Sequence, residues 1–262
     1  MKKVELKVNK REKTIYGIIS ASVVIIVWWV VVAAFQITAI PSPDQVLLYF
    51  FYMLVNPIGK YTLLVNLAIS LLRVFIGYVL AAVFGILFGF LMAISKSFKA
   101  AFNPIFSILR PIPPLAWIPL AILWFGLGET PKYFLIFMCS FIPFCINAYT
   151  GASKVDPQLI GAAKALGANE KQVITKVIIP SSVPQVFTGA QVALSSAWMT
   201  VLGAELVSST EGAGWLIIAG MEMGNIKQMI VGMLAIGLTG ATLALTMRIF
   251  ERRFLAWNIR GR

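Results

Sequence analysis

Histidine is absent from this sequence, cysteine occurs twice, and ten acidic residues stand against 22 basic ones. Without histidine the chain lacks the commonest general base and metal ligand, so no catalytic residue and no metal ligand is assigned. Cys139 and Cys145 lie six positions apart in an apolar stretch, without metal-ligand spacing, and are read as small core residues. Nor does the chain contain G-x-x-x-x-G-K-[ST], the loop whose backbone amides cradle a nucleotide phosphate. Charged residues are scarce, at 12 %. Hydrophobic residues reach 59 % and mean hydropathy is +0.87, which excludes an ordinary soluble domain and calls for a lipid bilayer. The net charge of +12 would suit nucleic acid, but no nucleic-acid-binding pattern accompanies it. A basic excess on one side of a membrane is the usual signal of orientation, and no nucleic-acid partner is expected.

What is present is a succession of apolar runs of membrane-crossing length: Ile15 to Phe35, Leu63 to Ile94, Phe102 to Phe125, Tyr133 to Tyr149, Thr188 to Val207 and Ile226 to Phe250. The first is too long for the core of a cleaved signal peptide and no small-x-small site ends it, so it is retained as a helix. Between the first two runs, PDQVLLYFFYMLV is apolar but too short to span, and is read as an interfacial helix on the outer face. The expected fold is all-α: a polytopic membrane protein with six transmembrane helices, both termini cytoplasmic, and short interfacial and cytoplasmic helices. Charge supports that orientation. The inner side collects six Lys/Arg before the first span, Lys96 and Lys99, then Lys154, Lys164, Lys171 and Lys176, and the five arginines from Arg248 onward. The outer loops hold Lys60, Lys132 and Lys227. Residues 1–14 and 251–262 are thus cytoplasmic segments flanking a membrane domain over 15–250.

Several polar residues interrupt the spans. Arg73 either snorkels to the outer interface or lies deep in the bundle as an anion contact. The segment RPIPPLAWIPLAILWFGLG has four prolines, which suit a broken helix beside a pathway or a packing kink with Arg110 at the inner interface. Asn147, Ser195, Ser196 and Thr200 are candidate pathway liners, or interhelical hydrogen-bond formers. Gly77, Gly85 and Gly89 favour close helix packing. Glu205 and Glu211 are expected at the outer surface, and EGAGWLIIAGMEMGN as an outer loop.

The longest polar interruption runs over 155–186. Asp156 caps a helix that Pro157 opens; Leu159, Ala162, Ala163 and Leu166 fall on one face; Gly167 ends it. Asn169 caps a second helix with Val173, Ile174, Val177 and Ile178 as its stripe and Pro180 as its stop. Helices this short need burial of that face, against their own bundle or against a separate subunit.

The segment GAAKALGANEKQVITKVIIPSSVPQVFTGAQVALSSAW resembles the "EAA" loop of the membrane permeases of ATP-binding-cassette importers, with its alanines at Ala162 and Ala163, glycine at Gly167 and closing proline at Pro180. LRPIPPLAWIPLAILWFGLG, AELVSSTEGAGWLI and the Arg-rich end are similar to the nitrate, sulfonate, taurine and bicarbonate branch, and the similarity covers about Leu63 to Trp257. The chain departs at the name-giving acid, where Gly161 replaces Glu. The resemblance implies a non-enzymatic pathway subunit in a bacterial cytoplasmic (inner) membrane, working with a second permease copy, two cytoplasmic ATPase subunits and an extracytoplasmic substrate-binding protein. It implies that Asp156, Leu159, Gly161, Ala162, Ala163, Leu166 and Gly167 dock the ATPase, that ATP and Mg are used there, and that this chain holds no cofactor. A small, anionic solute is the expected cargo. A self-sufficient secondary transporter or channel is the rival reading, weakened by the lack of an internal repeat and of a mid-span carboxylate.

Overall fold

The computed structural model describes residues 10–35 and 40–255, so Lys2, Lys3 and Lys7 before the first span and Arg260 and Arg262 of the tail lie outside the described residues. In chain order the helices are α1 (Lys10–Phe35), α2 (Pro43–Val55), α3 (Leu63–Ile94), α4 (Lys96–Leu109), α5 (Ile118–Phe125), α6 (Thr130–Ser153), α7 (Pro157–Ala165), α8 (Glu170–Val173), α9 (Ile179–Ser208), α10 (Ala213–Glu222) and α11 (Ile226–Phe254). Five helical runs are long and apolar enough to cross a bilayer, and a sixth crossing exists if the bent α4–α5 pair counts as one span.

The centre of the bundle is α3 against α6 and α6 against α9, and small residues bring them together. A Cβ added at Gly85 would stand 2.8 Å from Phe144 Cβ, and one at Gly77 would stand 2.6 Å from Ile136 Cγ2. No side chain larger than hydrogen fits without separating the helices, which in lipid is the main source of interhelical attraction. Polar bonds then set the register. Tyr78 donates to the Ala190 carbonyl at 3.0 Å, and Gln185 Nε2 donates to Asn147 Oδ1 at 2.8 Å. Outside this core, α10 and α11 pack together beside α2, burying Leu216, Val231 and Met53.

Three boundaries differ from the sequence expectation. The third apolar run is two helices meeting at 93°, joined through a 3-10 turn over Pro114–Trp117. Pro111, Pro113 and Pro114 lack the N–H donors that a continuing helix needs, and Pro113, itself before a proline, is extended at φ −60° and ψ 137°, so the chain turns instead of merely kinking. The arm before the turn begins at Lys96 with Ser95 as its cap, and a cluster of rings holds it: Phe88 lies 4.7 Å from Phe98 and 4.8 Å from Phe102, centroid to centroid.

Pro180 does not stop the second short helix. A π-helical segment over Ile174–Ile178 joins α8 to α9, with the Ile179 amide donating to the Ile174 carbonyl. The wider turn reassigns carbonyls just where Pro180 has no N–H to offer, so the helix continues and the fifth span begins well before Thr188. Thirdly, much of the expected outer loop after Glu211 is α10, whose Ala213, Gly214, Leu216, Ala219 and Gly220 are buried.

Candidate functional site

Functional features gather at the two ends of the α6–α9 pair. Twenty-four residues of α6 separate them, about 36 Å of helix.

At one end, between α6 and α9, stands the stretch expected to dock a partner. Asp156 Oδ1 accepts from the Gln158 amide at 2.8 Å, Pro157 is the first helical residue, and Gly167 takes φ +83° just past the last turn, as the sequence predicts. Asn169 and Gln172 form a reciprocal capping box. No residue of α7 is buried. Leu159 is 53 % and Leu166 89 % exposed, Ala162 is exposed, and Ala163 is half-buried. Nothing lies within 4 Å of where a Cβ would stand on Gly161. Lys164 Nζ meets Glu170 Oε1 at 2.6 Å and ties α7 to α8. Sequence reasoning gave Glu170 no role; the pairing follows from the tight turn at Gly167, which returns the chain toward Lys164.

At the opposite end Arg73 is 1 % exposed and does not snorkel. Its Nε and one terminal nitrogen fork onto Glu129 at 2.6 and 2.7 Å, the other terminal nitrogen meets Glu205 at 2.7 Å, and Glu211 adds its carbonyl at 3.1 Å and a carboxylate oxygen at 3.4 Å. The anions that Arg73 contacts are carboxylates of its own chain. Glu205, expected at the surface, is fully buried; it also accepts from Ser70 Oγ at 2.7 Å and the Gly214 amide at 2.9 Å. Lys132, expected in an outer loop, is buried in the first turn of α6 with Nζ 2.8 Å from Glu129. Burial pushes the Glu129 carboxyl up, but the hydrogen bonds and charges of Arg73 and Lys132 outweigh it and hold the group below its ordinary value. Gly212, at φ +111°, closes the cluster. A Cβ there would stand 2.5 Å from the Glu205 carboxyl carbon and 2.7 Å from an Arg73 nitrogen. The network ties α3, the start of α6, the end of α9 and the entry to α10, residues up to 138 positions apart in sequence.

Between the two ends, the 93° turn opens a cavity of about 280 Å³ lined by Arg110, Trp117, Cys139, Asn147 and Ser196 among others. The four candidate liners divide. Asn147 and Ser196 face this cavity, whereas Ser195 donates to the Gln191 carbonyl at 3.1 Å and faces a separate groove with Trp198 and Gly240. Thr200 is buried between helices. Arg110, which the sequence offered only as an interface residue, lines the cavity; the prolines that turn the backbone there were the available signal.

Comparison with known proteins agrees with this architecture. Residues 81–257 match the family model described as the binding-protein-dependent transport system inner membrane component. A putative ABC transporter permease of Methanocaldococcus jannaschii is 34 % identical over 260 residues, covering 98 % of this chain and 97 % of the relative. The taurine transport system permease of Escherichia coli is 35 % identical over 90 % of this chain and 87 % of its own. A nitrate import permease of Synechocystis is 30 % identical over 88 % and 86 %. Among solved structures, an inward-facing MetNI methionine ABC transporter superposes with a TM-score of 0.62 at 18 % identity, covering 79 % of this chain and 97 % of that one, a likeness of fold. A multi-pass bundle with an exposed capped helix between two of its central spans thus meets a family match over most of its length: the chain belongs to the inner-membrane permease components of binding-protein-dependent ABC transport systems.

Proposed function

We propose that this permease forms the pathway for a small anionic solute of the nitrate, bicarbonate, sulfonate or taurine type, delivered by an external binding protein and driven by ATP hydrolysed in separate subunits. Two copies of the chain enclose the pathway, and each presents α7 to one cytoplasmic ATPase, which uses the ATP and Mg. The observation that carries the docking reading is the exposure of Leu159 and Leu166 on a capped helix with no buried residue. A nine-residue helix is too short to be stable alone, and the two leucines of its apolar face find no cover on their own bundle. The rigid caps suit a knob that transmits motion, and its short link to α6 and its connection to α9 through α8 and the π turn suit rocking of those spans between inward- and outward-facing states. Relatives named for taurine and nitrate support the solute class.

Ala163→Arg tests the docking face. A charged, bulky side chain entering a close-packed groove costs several kcal/mol of desolvation and overpacking. Co-purification of the ATPase is expected to be lost while the melting temperature of the isolated permease falls only slightly, because Ala163 is already partly open to solvent on a helix with no buried residue. A lowered melting temperature with the ATPase still captured would show α7 to be an internally packed loop.

A further inference from the structure

The cavity at the 93° turn does not stand alone. A second cavity, of about 360 Å³, is lined by Met92, Asn103, Ser107, Tyr149 and Thr150, and Arg110 and Ile146 border both. Together they run along α6 from Leu135 to Thr150, about 22 Å of helix, toward the docking-stretch end. The volumes lie at the small end for ligand sites, which suits a compact solute.

The charges along this path are of one sign. Neither cavity is lined by a carboxylate. Lys99 Nζ stands 5.1 Å over the Tyr149 ring at the docking-stretch end. The Arg110 guanidinium sits where the cavities meet and, among the described residues, makes no ion pair or side-chain hydrogen bond, in contrast to the saturated Arg73. Arg110 is exposed, so its charge needs no partner within the chain, and an unpaired guanidinium opening on two cavities that hold no carboxylate is available to a ligand of opposite charge. Ser196 supplies a free hydroxyl to the first of the two cavities. Asn147 does not: its amide donates to the Pro143 carbonyl at 2.8 Å and its oxygen accepts from Gln185.

We propose that Arg110 is the anion-selecting residue of the pathway: its guanidinium takes the oxyanion head of the solute at the junction of the two cavities, and Ser196 completes the contact. Asn147 is a positioning residue that holds α9 against α6. A planar guanidinium fork matches the oxygens of a nitrate, carboxylate or sulfonate. The proposal rests on the small-anion reading above but is testable without knowing the solute.

The experiment uses the complex with its ATPase in membrane vesicles, with Cys139 and Cys145 replaced by alanine and a reporter thiol introduced as Ile146→Cys. It is labelled with sulfonatoethyl methanethiosulfonate or its trimethylammonium counterpart, each rate divided by that of free 2-mercaptoethanol. The anionic reagent is expected to be favoured about tenfold, with Arg110→Gln removing the preference and Arg110→Lys keeping most of it. If Arg110→Gln does not assemble, raising salt from about 10 mM to 1 M is expected to collapse the preference in the chain that retains Arg110, since the Debye length falls from about 30 to 3 Å. Equal labelling by both reagents, a preference unchanged in Arg110→Gln, or a preference insensitive to salt overturns the proposal. Loss of ATP turnover by the complex without the reporter would instead count against the importer reading, which the labelling ratio does not address.

Discussion

A guanidinium buried beside three carboxylates is stabilising only while every partner stays in place. Removing one member of a buried, hydrogen-bonded pair leaves an uncompensated charge and costs about 3–5 kcal/mol. Glu205, fully buried, is such a member. Glu129 shares the same arginine, but its side chain is 43 % exposed, so water replaces part of what its loss removes. Glu205→Ala is therefore expected to lower the melting temperature of the detergent-solubilised permease more than Glu129→Ala, a comparison scanning fluorimetry makes directly. Glu129 also makes stability pH-dependent. Its folded value lies below the ordinary one, so its contribution is complete at and above the ordinary carboxylate range and vanishes as pH falls through the lowered folded value. Melting temperature should be insensitive to this group at neutral pH and drop on acidification; Glu129→Gln should flatten that acid limb.

At the scale of elements, α7 is a helix whose ends are specified and whose middle is weak. Asp156, Pro157 and Gly167 define its limits, but Gly161 in the interior costs roughly 0.5–1 kcal/mol relative to alanine. The space around Gly161 is open. Gly161→Glu should therefore be accepted without loss of fold, lengthen the protection of α7 amides in hydrogen exchange, and draw Lys164, three residues on, partly away from Glu170. Unchanged or faster exchange would contradict the weak-middle account. This stretch was legible in the sequence because capping is local: each partner lies within three residues of its cap. The continuation through Pro180 was not, because a proline is a stop in an α-helix and only the π turn before it makes the continuation possible.

The whole molecule presents apolar surface that its own fold does not cover. α1 has no buried residue in its membrane-crossing window, and Leu123 and Leu127, beside the broken span, are each 79 % exposed. Lipid would cover such faces, and the proposed second copy would cover part of them, two-fold symmetry being the commonest arrangement of identical subunits. Cross-linking in native membranes should trap a dimer. A persistent monomer that supports ATP-driven uptake would refute the two-copy pathway.

By itself the sequence determined that the chain is a helical membrane protein, where most of its long apolar helices lie, and the caps that begin and end α7. Those properties depend on hydropathy, proline and glycine placement and caps, all read within a turn or two of each residue. It also carried enough ordered motifs to indicate the permease family. Only the tertiary structure decided that Arg73 is neutralised by the chain's own Glu129, Glu205 and Glu211, residues 56, 132 and 138 positions away, and that Arg110 remains unpaired beside a cavity. Both arginines interrupt apolar runs and are indistinguishable by composition. Their difference arises from packing: glycines bring α3 close enough to α6 for Arg73 to reach the carboxylates gathered beside it, while three prolines turn the backbone away at Arg110 and leave it facing two cavities.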